Sequence, residues 1–142
     1  IDEQILKFVK QADEVWHAGD IGNLNVTDKL KEFKPLRAVY GNIDDSEARL
    51  EFPLDNRFLI EDVDVWMTHI GGYPNKYDQR IREEIKKNPP KIFISGHSHI
   101  LKVQFDKKLN TLHQELIWYL VLIQYLDPMQ KYMLKMITKK NL

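Results

Sequence analysis

Five polar side chains each follow a run of residues that predicts a short β-strand. They are Asp20, Asn42, His69, His97 and His99. Imidazole nitrogens, a carboxylate and an amide oxygen together bind borderline divalent metals such as Mn, Fe, Ni or Zn. Two such ions about 3.5–4 Å apart can clamp a phosphoryl group, and they lower the pKa of a shared water so that it attacks as hydroxide. These residue types therefore predict a metal site for phosphate esters, provided that the fold brings them together.

The first 42 residues alternate between helical and strand-like patterns. Apolar residues at helical spacing predict helices over 1–11 and 27–33, and short buried runs predict strands over Glu14–Ala18 and 36–40. This alternation is typical of a parallel sheet built from βαβ units. Side chains beyond the carboxyl ends of such strands meet at one edge of the sheet. We therefore expect Asp20 and Asn42 to lie close together.

The middle of the chain predicts a second group of strands. Runs over 57–61 and 63–68 form a candidate hairpin, 91–95 is a further strand, and 101–105 with 109–112 predict a closing hairpin. A charged helix over 76–87 places Tyr77, Ile81 and Ile85 on one face, and Pro89-Pro90 ends it. His69, His97 and His99 again follow strands, so they are expected at the same edge.

Composition excludes several classes of function. Lys+Arg and Asp+Glu both number 21, which argues against binding nucleic acid through bulk charge. Because there is no cysteine, any metal must be held by His, Asp, Asn or Glu. The apolar run over 116–123 is too short to span a membrane, and the first residues do not resemble a signal peptide. We therefore predict a cytoplasmic protein without a membrane span, and the oligomeric state stays open.

Taken together, the polar motifs resemble those of a known family. In chain order they are Gly19-Asp20, Gly41-Asn42-Ile43-Asp44, Thr68-His69 and Gly96-His97-Ser98-His99. Their order and short spacing resemble calcineurin-like metallophosphoesterases, in particular the small bacterial and archaeal phosphodiesterase (YfcE-type) branch. The resemblance covers residues 1–113 and implies an α/β fold. The expected architecture is a β-sandwich flanked by helices in four α/β/β/α layers, which replaces the plain parallel sheet.

The resemblance also implies roles for the five residues. Asp20 would bridge two divalent ions, Asn42, His69 and His97 would bind the second ion, and His99 would bind the first. Mn is the metal we expect most, with Ni, Fe, Zn or Mg as alternatives. The substrate would be a small phosphate ester, more specifically a phosphodiester, hydrolysed by a hydroxide that bridges the two ions.

Four further residues are predicted to support the ligands without binding metal. Asp44 would steady the loop of Asn42, and His17, near Asp20, fits a buried supporting position better than direct ligation. Gly71 and Gly72 after His69 indicate a close approach of the backbone to another group. Taken singly, Asp20 and Asn42 could be turn residues and His69 a core histidine. The metal interpretation depends on the whole set.

Three departures from the family pattern leave alternatives open. Family members carry an Asp-x-His motif on a strand before the first helix, and we expect this strand to be missing because the sequence starts within that helix. Many relatives have His where Ile43 stands. Residues 114–142 diverge from the family and predict a separate C-terminal tail. The chain could therefore be an inactive scaffold or interaction module of the same fold, or a phosphate binder without turnover.

Overall fold

The computed structural model describes residues 3–100, 102–115 and 120–123. Within these residues there are four helices, α1 (Glu3–Gln11), α2 (Leu24–Lys31), α3 (Ser46–Glu51) and α4 (Arg82–Lys87). The same residues contain ten strands, β1 (Glu14–Ala18), β2 (Leu36–Val39), β3 (Asp55–Ile60), β4 (Val63–Thr68), β5 (Gly72–Tyr73), β6 (Lys76–Tyr77), β7 (Ile92–Ser95), β8 (Lys102–Asp106), β9 (Thr111–Glu115) and β10 (Leu120–Ile123).

Most of the strands belong to two sheets. The smaller sheet has the order β10-β1-β2, and its β1–β2 pair is parallel, which confirms the βαβ unit. The larger sheet has the order β3-β4-β7-β9-β8. Its central strands β4, β7 and β9 run parallel, while β3 and β8 pair antiparallel at the edges. The carboxyl ends of the parallel strands within each sheet therefore share one edge.

The main core lies between the two sheets. Trp16 and Ala18 from the smaller sheet pack against Val65, Met67 and Ile94 from the larger sheet, and all five are buried. Successive side chains of a strand point to opposite faces, so Val65 and Met67 of β4 both point into the core. Two faces of alternating apolar residues thus form the sandwich that the family resemblance predicts.

Helices and a small hairpin cover the outer faces. On the larger sheet, Trp66 and Phe93 pack against Tyr77, Ile81 and Ile85. On the smaller sheet, α1 and α2 supply the outer layer in a cluster that consists of Val9, Val15 and Leu30. The four-layer α/β/β/α arrangement is therefore confirmed.

The prediction of a helix over 76–87 is wrong at its start, because α4 begins at Arg82. Residues 72–77 instead form the β5–β6 hairpin, with Gly72 paired to Tyr77 and Tyr73 paired to Lys76. Lys76 and Tyr77 are therefore held in strand pairing, and Gly72 and Asn75 adopt positive φ values of 70° and 72° within this hairpin. Tyr77, Ile81 and Ile85 nevertheless meet in one cluster, so the predicted apolar face holds although only α4 is helical.

Side-chain caps explain two further differences in the helices. The helix predicted over 27–33 begins earlier, at Leu24, because the side chain of Asn23 caps it by accepting from the backbone of Asn25. Helix α3 was not predicted, although Asp45 caps it by accepting from the backbone of Ala48. Both caps are typical signals of a helix start that apolar periodicity alone does not reveal.

The predicted boundary between domain and tail at 113/114 lies inside β9. The described part of the predicted tail comprises the end of β9 and β10, which pairs antiparallel with β1. The other residues of the predicted tail lie outside the described residues. In the part of the chain that is described, no helix has the length and apolar character needed to cross a membrane.

Candidate metal centre

Four of the five predicted ligands lie just beyond the carboxyl ends of strands. Asp20 follows β1, Asn42 follows β2, His69 follows β4 and His97 follows β7. The pairs β1–β2 and β4–β7 are both parallel, so each pair delivers its two loops to one edge. The packing of the two sheets then brings both edges together.

His69 occupies the centre of this group. Its Nε2 atom lies 3.2 Å from Oδ1 of Asp20 and 2.9 Å from Oδ1 of Asn42. Its Nδ1 atom lies 2.7 Å from the carbonyl oxygen of Ala18. A carbonyl oxygen only accepts hydrogen bonds, so Nδ1 carries the proton, and Nε2 of the neutral ring presents its lone pair to Asp20 and Asn42.

The environment keeps the His69 ring neutral. Burial lowers the pKa of His69 below its ordinary value of 6.5, and this effect outweighs the opposing ones of the Ala18 carbonyl and Asp20. The imidazole nitrogen, the carboxylate oxygen and the amide oxygen therefore direct lone pairs toward one another. This donor set is the one that a divalent cation takes, so these residues fit a metal ion.

His97 and His99 lie on the loop that follows β7. The His97 ring stands edge-on to the His69 ring, with centroids 5.2 Å apart, and His99 is exposed two residues further on. Among residues 3–100, 102–115 and 120–123, no three His, Asp or Glu side chains are grouped closely enough to hold a metal ion. The tight group consists of one histidine, one carboxylate and one amide. The five-residue ligand set therefore stays a prediction.

Backbone strain marks the same residues. Asp20, His97 and His99 adopt positive φ values of 55°, 71° and 58°, in the left-handed region that residues other than glycine rarely enter. Such conformations cost about 1–2 kcal/mol each and persist where the surrounding structure enforces them, often at functional sites. Three of the predicted ligands thus carry such a backbone cost, as do Glu61, Asn75 and Asn110 in turns.

Asp44 joins the loops that carry Asp20 and Asn42. Its Oδ1 accepts from the backbone of Gly22 at 2.8 Å, and its Oδ2 accepts from the backbone of Gly41 at 2.7 Å. The side chain is buried, and so is its bond from Gly41, whereas its bond from Gly22 is partly exposed. This geometry suits the supporting role predicted for Asp44.

Sequence reasoning missed Arg49. Its Nε atom donates to the carbonyl of Asp44 at 2.8 Å, and Nη2 donates to the carbonyl of Asn42 at 3.2 Å. The guanidinium also lies over the Tyr40 ring, 5.1 Å from its centroid. Recognising the Asp45 cap would have placed Arg49 on a helix beside this loop, although no motif indicates its role.

His17 lies beneath the same loops. It is buried, and desolvation lowers its pKa to about 4, although the nearby charges of Asp44 and Asp20 raise it. His17 is therefore neutral and buried at this place, and its supporting role stays a prediction.

The close approach that the two glycines permit is to protein. A β-carbon on Gly71 would lie 2.7 Å from the Phe93 ring, and one on Gly72 would lie 2.3 Å from the carbonyl of Lys76. Gly71 therefore lets the chain approach β7, and Gly72 lets the two strands of the β5–β6 hairpin approach each other.

Comparison with known proteins identifies the family. A sequence profile described as the calcineurin-like phosphoesterase superfamily domain matches residues 1–118. The chain belongs to this superfamily. Membership in this superfamily implies divalent metal ions, which agrees with the donor set around His69.

A relative in Methanothermobacter thermautotrophicus supports this assignment. It is described as a probable metallophosphoesterase and is 28% identical over 99 residues. That match covers 70% of this chain and 57% of the relative, so the chain spans little more than half of the relative's length.

Three solved structures share the fold. Protein TM1076 of Thermotoga maritima has a TM-score of 0.67 at 22% identity, with 90% of this chain and 82% of that chain covered. An archaeal phosphodiesterase has a TM-score of 0.58 at 20% identity, with coverage of 78% and 76%. Vps29 of Chaetomium thermophilum has a TM-score of 0.65 at 14% identity, with coverage of 89% and 66%.

Proposed function

We propose that this chain is a metal-dependent phosphoesterase that hydrolyses phosphodiesters with two divalent ions. The observation that carries the proposal is the convergence of His69 Nε2, Asp20 Oδ1 and Asn42 Oδ1 within 2.9–3.2 Å at the carboxyl ends of the strands. Membership in a phosphoesterase superfamily supports the same chemistry.

The chain's own residues would divide the work as follows. His69, fixed by the Ala18 carbonyl, presents a neutral nitrogen to one cation, with Asn42 beside it and His97 across the ring. The Asp20 carboxylate would supply oxygen ligands, and His99 would supply a further imidazole nitrogen. Divalent ions, when bound, neutralise charge on the phosphoryl group and lower the pKa of the attacking water.

Asp44 and Arg49 would keep the donors in place. Asp44 joins the backbones of Gly22 and Gly41, and Arg49 fixes the carbonyls of Asp44 and Asn42. A donor group held in this way loses little conformational entropy when a cation binds. Mn is the metal that we propose, with Ni, Fe, Zn or Mg as alternatives, because imidazole and oxygen donors together accept borderline divalent ions.

Hydrolysis of bis(p-nitrophenyl) phosphate with Mn²⁺ tests the proposal. We expect turnover by the chain, and Asp20→Ala and His97→Ala should abolish it because each removes a metal-binding atom. Asp62→Ala removes an equal charge from an exposed turn and serves as the matched control. Full activity in Asp20→Ala or His97→Ala would contradict the proposed site. Faster hydrolysis of the monoester p-nitrophenyl phosphate would contradict the proposed substrate class.

A second candidate is a metal-binding scaffold without turnover. Vps29 shares the fold with this chain. In addition, the tight group around His69 consists of one histidine, one carboxylate and one amide, which offers donors for one cation. The two candidates differ in one result. A scaffold would bind Mn²⁺ through His69 and Asn42 without hydrolysing mono- or diesters, whereas the enzyme would do both.

A further inference from the structure

A cavity of about 650 Å³ lies away from the candidate metal centre. Its walls come from the turn between β5 and β6, from α4 and from the turn between β8 and β9. The lining residues are Asn75, Lys76, Tyr77, Arg82, Lys86, Asp106, Lys108 and Leu109. None of them is a predicted metal ligand. Lys76, Arg82, Lys86 and Lys108 are exposed, so the cavity is an open depression on the surface.

Strand register places the cavity at the opposite edge of the larger sheet from the metal centre. The turn with Lys108 and Leu109 enters β9, whose Leu112 pairs with Ile92 at the start of β7. His97 follows the other end of β7, beyond Ser95. Four residues of strand extend for about 13 Å, so this wall of the cavity and the metal centre do not share a surface.

The cavity is strongly cationic. Four of its eight lining residues are Lys or Arg, and Asp106 is the one carboxylate among them, so the lining carries a net charge of +3. The whole chain has a formal net charge of zero. The accumulation of positive charge is therefore a local feature of the surface.

The carboxylate of Asp106 is already occupied by donors from the chain. Its Oδ2 accepts from the hydroxyl of Tyr77 at 2.9 Å, in a buried contact. Its Oδ1 accepts from the backbones of Lys108 and Leu109 at 2.9 and 3.3 Å. These bonds tie β6 to the turn before β9 and hold the Asp106 carboxylate in place, and its single charge offsets one of the four cations.

Two of the cations have neutral partners. The Nζ atom of Lys108 donates to Oδ1 of Asn75 at 3.2 Å, and that of Lys76 lies 6.0 Å from the centroid of the Tyr73 ring. Within the described part of the chain, Lys76, Arg82 and Lys108 form no ion pair. Arg82 donates to the carbonyl of Tyr77 through Nε and Nη2, so Nη1 takes no part in those bonds. Lys86 contacts Glu83 at 3.3 Å, but that pair is exposed and holds it weakly.

We propose that this cavity binds a small anion that carries two or more phosphate groups. Ammonium groups act as compact point charges toward phosphate oxygens, and one guanidinium adds planar donors. The neutral net charge of the chain disfavours a nucleic acid as the ligand. The site would hold a ligand separate from any ester bound at the metal centre.

Titration of the full chain with inorganic pyrophosphate tests this inference. Buffers are freed of divalent ions by a chelating resin, because a soluble polycarboxylate chelator would compete for the cavity. We expect binding by calorimetry, with NMR shifts centred on the amides of Tyr77, Lys108 and Leu109. The double variant Lys76→Gln/Lys108→Gln should weaken the affinity about tenfold, since it removes two of the four cations.

Matched controls keep the inference open to contradiction. Lys7→Gln/Lys29→Gln removes the same charge from exposed positions on α1 and α2 and should leave the affinity unchanged. An equal loss in both double variants, or no binding by the unaltered chain, would overturn the proposal. So would shifts centred on Asp20 and His69, or tighter binding of citrate than of pyrophosphate.

Discussion

The backbone of Gly41 lies so close to Asp20 that a β-carbon there would stand 2.1 Å from Oδ1 and 2.3 Å from the backbone nitrogen of Asp20. Gly41→Ala must therefore push the Asp20 carboxylate away from His69. We expect this variant to fold and to lose most Mn²⁺ affinity and phosphodiesterase activity. Calorimetric titration of Mn²⁺ and hydrolysis of bis(p-nitrophenyl) phosphate measure the two losses.

Gly22→Asn is the matched control for this steric prediction. A β-carbon at Gly22 meets nothing within 4 Å, and its φ of 73° is one that Asn tolerates. The control should retain Mn²⁺ binding. Equal retention by Gly41→Ala would show that the position of Asp20 does not control the site.

Asp44→Asn should destabilise the protein and weaken metal binding. Both Asp44 oxygens accept hydrogen bonds from backbone N–H groups. The Asn side chain has one acceptor oxygen, so its NH₂ group would face the other N–H donor and leave it without an acceptor. A buried unsatisfied donor costs about 1–3 kcal/mol in the free energy of unfolding, which urea denaturation measures. Asp45→Asn makes the same change at the adjacent residue. It should leave the free energy of unfolding unchanged, because Asn caps helices as well as Asp does. Equal losses in the two variants would contradict the role of Asp44.

The first Mn²⁺ ion should bind at His69 and Asn42 rather than near His99. Asn42 and His69 already lie in contact, whereas His99 is exposed. We therefore expect Asn42→Ala to remove the tighter ion and His99→Ala to leave it in place. Electron paramagnetic resonance during a Mn²⁺ titration counts the bound ions. Loss of the tighter ion in His99→Ala alone would reverse this assignment.

The stability of the protein should fall in acid because of His113. Its side chain is buried against Phe93, and desolvation, aided by Lys102 and opposed by Asp106, lowers its pKa to about 4. In the unfolded chain, where the histidine pKa is about 6.5, His113 is protonated between pH 6.5 and 4. In the folded chain it stays neutral over the same range. The free energy of unfolding therefore decreases as pH falls through this window, by about 3 kcal/mol from this group.

His113→Gln tests the pH dependence directly. Glutamine can keep the hydrogen bond to Ser95, where His113 Nε2 lies 3.3 Å from Oγ, but it cannot titrate. Urea unfolding at pH 7 and pH 4 should show a smaller difference in this variant, with a residual slope from His17, whose pKa is also lowered to about 4. An unchanged difference would show that His113 is not the group responsible.

The sequence alone determined the elements that pattern and motif encode. The strand Glu14–Ala18 was predicted with its observed bounds, and Val63–Thr68 likewise, because short apolar runs followed by glycine or a polar residue mark buried strands. The order of the polar motifs also indicated the family and the sandwich. The helix caps at Asn23 and Asp45 are also encoded in the sequence. The prediction missed them because it placed helix starts by apolar periodicity alone.

Only the tertiary structure decided how the candidate site is held. The contact of His69 with the Ala18 carbonyl joins residues 51 positions apart, and the bond from Gly22 to Asp44 joins residues 22 apart. Such contacts arise from the packing of two sheets, which leaves no local pattern in the chain. The cationic cavity has the same origin, because Lys76, Arg82 and Lys108 come together only when a hairpin, a helix and a turn pack on the outer face of the larger sheet.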